Sequence, residues 1–137
     1  MNTTKVLVGG IVGGIAYFLL GWLIYGMLLM NYMSQNSVAG VMRPQDEMIW
    51  WSLILSNLIF GFLISYILNQ VGRISKISKG ASIAGVVGLL ASAGYDLGMY
   101  ATSNVSTLNA ILADVAAFTV MSFIVGAIIV VVCKRIK

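Results

Sequence analysis

Four long apolar runs separated by short polar segments make up nearly the whole chain. They cover residues 6–30, 48–68, 81–101 and 108–132. Each reaches the roughly 20 residues that an α-helix needs to cross a bilayer. Helices are the economical form for such runs, because lipid offers no partner to a free backbone N–H or C=O. The first run is longer than the core of a signal peptide, and no small-x-small cleavage pattern follows it, so it reads as a retained helix. The pattern predicts an all-α integral membrane protein, one domain over residues 1–137 with four transmembrane helices.

The polar punctuation sets the orientation. Lys5 precedes the first run, Arg73, Lys76 and Lys79 lie between the second and third, and Lys134, Arg135 and Lys137 follow the fourth. Four crossings put these three flanks on one side, which then holds seven of the eight Lys and Arg residues. Only Arg43 falls opposite. The positive-inside rule therefore predicts both termini in the cytoplasm. The opposite loops differ in length. "TSNVST" is short, so the third and fourth helices should be antiparallel neighbours. The longer first loop ends in "RPQDEM", which reads as a helix start. Pro44 would sit in its first turn, with Asp46 and Glu47 at the positive end of the helix dipole.

Composition narrows the chemistry. The 137 residues are 60% hydrophobic and 9% charged, far below the roughly 25% charged residues of a soluble domain. There is no His and one Cys, Cys133. That leaves no imidazole base, no His-ligated metal and no internal disulfide. The net charge of +4 lies in short flanks rather than in a patch for nucleic acid. No nucleophile–base pair and no metal-ligand cluster is visible, so neither catalysis nor a cofactor is expected.

Small residues mark packing faces. Gly9 and Gly13, Gly10 and Gly14, and Gly94 and Gly98 are each four apart, a spacing that lets helix backbones approach. The third run is rich in Gly and Ala, including Gly85 and Gly88, which predicts that it is the central, buried helix. A two-helix unit used twice is also readable. "ILSNLIFGFLISYI" aligns with "ILADVAAFTVMSFI", and Ile11, Gly13, Gly26 and Met27 align with Ile83, Gly85, Gly98 and Met99.

Two acids interrupt the apolar runs, Asp96 in "SAGYDLGMYA" and Asp114 in "ILADVAAF". At about 1.5 Å per residue each lies roughly 8–10 Å inside the outer end of its helix. Asn57, Tyr25 and Trp22 reach the same depth from the other two helices, and Tyr95 stands beside Asp96. An acid at a helix centre costs about 2.5–3.5 kcal/mol on insertion scales and less toward the interface. No Lys or Arg occurs at that depth. The acids should therefore face inward and share partners, either as an outer pocket that holds a proton or a cation or only as hydrogen bonds that tie the third helix to the fourth.

"GWLIYGMLL" in the first helix and "ILADVAAFTVMSFIVGAII" in the fourth resemble a family of small four-helix bacterial inner-membrane proteins of unknown function. Trp22 and Tyr25 match its aromatic W-x-x-Y turn. The resemblance implies a bacterial plasma-membrane protein and supplies no activity. The expected function is binding or transport of a proton or small cation through the acidic pocket. The alternative is a non-catalytic accessory subunit that packs against another membrane protein or a second copy of itself.

Overall fold

The computed structural model describes residues 2–72 and 76–136. Arg73 and Lys137, counted above among the flanking cations, lie outside them. Helix α1 (Thr3–Leu23) starts at Asn2, whose side chain accepts from the Lys5 backbone N–H at 3.1 Å. It continues through a π-helical turn, Ile24–Leu28, and a short helix α2 (Met30–Gln35) follows. Helices α3 (Trp50–Gln70), α4 (Ile77–Thr102) and α5 (Leu108–Cys133) complete the fold. The segments Thr3–Leu28, Trp50–Gln70, Ile77–Thr102 and Leu108–Cys133 are each long and apolar enough to cross a membrane. Apart from one isolated bridge, the described residues contain no β-structure.

The helices form two tight hairpins, α1 with α3 and α4 with α5, joined mainly where α1 meets α5. Glycine sets the approach in both. A Cβ added to Gly61 would stand 2.5 Å from the Gly10 carbonyl oxygen and 2.8 Å from the Gly13 carbonyl carbon. A Cβ on Gly126 would stand 2.8 Å from the Gly80 carbonyl oxygen and run into Ala84. These neighbours are mostly backbone, so only hydrogen fits at either position. A Cβ on Gly85 would meet Phe123, and one on Gly88 would run into Ser122.

Between the hairpins lies an aromatic core. Tyr17 is buried, stacks on Phe118 at 5.6 Å and tilts against Phe60 at 6.1 Å, while Phe60 meets Phe118 edge-on at 5.0 Å. The Tyr17 hydroxyl donates to Ser122 Oγ at 2.7 Å, so the polar end of a buried ring is satisfied across α1 and α5. At the end holding both termini, Ser65 Oγ donates to the Val6 carbonyl at 3.0 Å, and Cys133 Sγ lies 3.4 Å from the Lys5 carbonyl.

Three expectations change. The central helix is α5 and not α4: α5 touches all three other long helices, whereas α4 packs mainly on α5. Burial on α4 stops at Ser92, and Gly94 and Gly98 have nothing within 4 Å among the described residues. Small residues permit close approach, but burial falls to the helix that lies between two neighbours. "RPQDEM" does not open α3. Residues Gln45–Glu47 form a separate 3-10 turn closed by Glu47 N–H on the Pro44 carbonyl at 3.0 Å. Met48 is then extended (ψ 135°), so α3 begins at Trp50 with no acid in its first turn. Finally, the hairpins differ in register from the aligned repeat. Gly13 packs on Gly61, but its counterpart Gly85 meets Phe123 rather than Phe118, the residue aligned with Gly61.

Candidate functional site

Asp96 and Asp114 come together at the end of the α4–α5 hairpin that carries the loops. The chain reverses over residues 103–107, with Thr107 capping α5 by accepting from Ala110 N–H at 3.3 Å. Antiparallel packing then places one acid two turns before the reversal opposite the other two turns after it. The Asp114 side chain neighbours the Asp96 carboxyl. Asp96 Oδ2 is enclosed and has no hydrogen-bond partner among the described residues. Two ionised carboxylates are acceptors only, so this contact becomes a hydrogen bond when one of them carries a proton. No Lys or Arg occurs between Lys79 and Lys134, the stretch that contains both acids.

Tyr25 joins them from α1. It lies inside the π-helical turn, and its hydroxyl donates to the Asp114 backbone carbonyl at 3.4 Å. The wider turn of a π-helix shifts the residues that follow relative to the preceding face, and such turns recur at functional sites. The remaining residues predicted for the layer are placed differently. Asn57 donates to the Leu53 carbonyl of its own helix at 2.8 Å, and no hydrogen bond joins its side chain to either acid among the described residues. Trp22 is 55% exposed and lies against Gly26 of its own helix, and Tyr95 is 70% exposed. The structure therefore gathers Asp96, Asp114 and Tyr25, leaves Asn57 and Trp22 aside, and keeps Tyr95 on the rim.

Asp96 and Tyr95 line a cavity of about 210 Å3 whose other walls are Met99, Tyr100, Ser103, Val105, Ser106 and Ile111. Tyr100, Ser103, Val105 and Ser106 also line a larger groove of about 580 Å3 beneath the loops, so the two spaces adjoin. The roof comes from the first loop. Val38 N–H donates to the Val105 carbonyl and Thr107 N–H to the Asn36 carbonyl, both at 2.9 Å, which pairs Ser37 with Ser106. Tyr100 and this strap were missed from sequence. Hydropathy carries no signal for a two-bond bridge between loops 70 residues apart, and Tyr100 reads there as one more interfacial aromatic.

No family model, no curated protein and no solved structure matches the chain.

Proposed function

We propose that this is a small integral membrane protein of the bacterial plasma membrane, with both termini in the cytoplasm. It binds or moves a proton or small cation through the pocket of Asp96 and Asp114, which opens outward. The seven-to-one cation asymmetry supports the orientation, and the resemblance in the first and fourth helices supports the bacterial membrane. The observation that carries the function is the meeting of two carboxyls beside a cavity, with one enclosed oxygen unpartnered. Ionisable groups within spanning helices are costly to keep and mark ion or proton pathways. Asp96 is the group next to the cavity, Asp114 is its partner, and Tyr25 fixes Asp114 from α1. The role is non-catalytic.

Flux in proteoliposomes under an imposed pH gradient tests this. Proton or cation movement lost in both Asp96→Asn and Asp114→Asn supports it. Flux unchanged in both variants overturns it, and so does a wild type that neither carries flux nor takes up a proton or cation at the pocket.

A second reading is favoured by one feature. Gly94 and Gly98 present an open small-residue face on α4 with no neighbour within 4 Å among the described residues. Such a face suits a helix of another membrane protein or a second copy of this chain. Leu at Gly94 or Gly98 would then break the assembly without touching the acids, as single-molecule bleaching in native-like lipid would count.

A further inference from the structure

The larger groove shares four walls with the cavity beside Asp96 but has no acid among its own lining. It lies between the strap at residues 35–38 and the reversal at residues 103–107, with Tyr100 among its walls. Its walls are built rather than loose. The two backbone bonds of the Ser37–Ser106 bridge hold them together. Asn36 donates to the Tyr32 carbonyl at 2.9 Å, and Thr107 Oγ1 meets Asn36 Oδ1 at 3.3 Å. Ser103 donates to the Met99 carbonyl at 2.7 Å. Those three side chains are engaged in the scaffold.

The others are not. Gln35, Ser37, Tyr100, Asn104 and Ser106 line the groove, and their side chains make no hydrogen bond among the described residues. The groove thus offers two amides and three hydroxyls, each able both to donate and to accept. No charged residue is among its described lining. An anionic ligand would find no Lys or Arg there, and a cation would find no carboxylate, because Asp96 belongs to the adjoining cavity. A wholly apolar ligand would strip water from these amides and hydroxyls and give nothing back. What remains is a neutral group that brings its own alternating donors and acceptors. The ring of Tyr100 adds an apolar face for C–H groups. The volume of about 580 Å3 falls within the roughly 300–1,000 Å3 usual for small-molecule sites.

We infer that the groove between the strap at 35–38 and the loop at 103–107 binds a neutral polyhydroxylated group, a sugar ring. The same ring chemistry occurs in a free glycoside and in the headgroup of a glycolipid. The groove lies at the loop ends of α4 and α5, where either can reach it.

The test uses the full chain in phosphatidylcholine nanodiscs, followed through its side-chain amide resonances. Methyl β-glucoside is titrated in solution. In a second arm, monoglucosyl diacylglycerol is incorporated in the discs. Saturable shifts of the Gln35 and Asn104 amides are expected. Asn69 serves as the control, because its amide donates to the Ser65 carbonyl near the opposite end. A response to both forms, or to either alone, supports the site and identifies the source of the ring. Asn104→Leu and Tyr100→Leu should each weaken binding by roughly two- to tenfold, as loss of one neutral contact implies. Absence of saturable shifts in both arms with wild-type protein overturns the inference whatever the variants do. So does a stronger response of the same amides to sulfate or to tetramethylammonium, or unchanged affinity in variants that keep the wild-type spectrum elsewhere.

Discussion

Replacing Gly61 with Ala tests how the first hairpin is held. The new Cβ would stand 2.5 Å from the Gly10 carbonyl oxygen and 2.8 Å from the Gly13 carbonyl carbon, and would also meet Gly14 N. Favourable contact between such atoms needs about 3.5–4.0 Å. All three neighbours are backbone, so α1 and α3 must separate by roughly 1 Å along much of their contact. Overpacking of this kind costs about 1–3 kcal/mol. Alanine is also the better helix former by about 1 kcal/mol, which hides part of the loss. Gly21→Ala supplies the reference, since a Cβ there meets only the flexible end of Met121 at 3.6 Å, an ordinary contact. The propensity gain is common to both variants, so their difference isolates the packing. Gly61→Ala should therefore be about 1–3 kcal/mol less stable than Gly21→Ala, a roughly 5- to 150-fold change in the unfolding constant. Reversible unfolding in bicelles by steric trapping reads this directly. Equal stability of the two variants would show that the α1–α3 contact is not the tight backbone approach described here.

Tyr17→Phe leaves Ser122 Oγ without its buried partner and should cost about 0.5–1.5 kcal/mol, while Ser122→Ala added to it costs little more. A double-mutant cycle with no coupling energy would refute that bond. In infrared difference spectra, Asp114→Asn should shift the carboxyl bands of Asp96, because the two side chains are neighbours across α4 and α5. Bands that do not respond would mean separately hydrated carboxyls. Asp96→Asn should fold, because an amide still bonds Asp114, whereas Asp96→Leu should be the less stable of the two in the same unfolding assay. Ser37 and Ser106 occupy a non-hydrogen-bonded antiparallel pair, where Cα atoms are about 4.5 Å apart and within disulfide range. Ser37→Cys with Ser106→Cys, in a Cys133→Ser background, should oxidise spontaneously within the monomer, and peptide mapping that finds only free thiols would refute the strap. A reporter fused to the C-terminus should be active only as a cytoplasmic reporter, and a periplasmic signal there would invert the topology.

Sequence alone determined the number of long helices, their bounds to within a few residues, and the antiparallel pairing of the last two. These follow from local quantities: the length of an apolar run and the shortness of the loop after it. It also put Asp96 and Asp114 at matching distances from the facing ends of their helices, since that distance is counted along the chain. Tertiary structure decided what depends on rotation about each helix axis and on the choice of neighbours. Asn57 has the right depth but bonds its own helix. Trp22 has the right depth but faces outward. Tyr25 reaches Asp114 from within a π-helical turn that no hydropathy pattern announces. The small residues of α4 promised burial, but α5 took the centre because it lies between α4 and α1. In apolar helices nearly every face is greasy enough for either lipid or protein. Which face turns inward is settled by the fit of side chains and backbones across the bundle, as at Gly61 against α1 and Gly126 against α4.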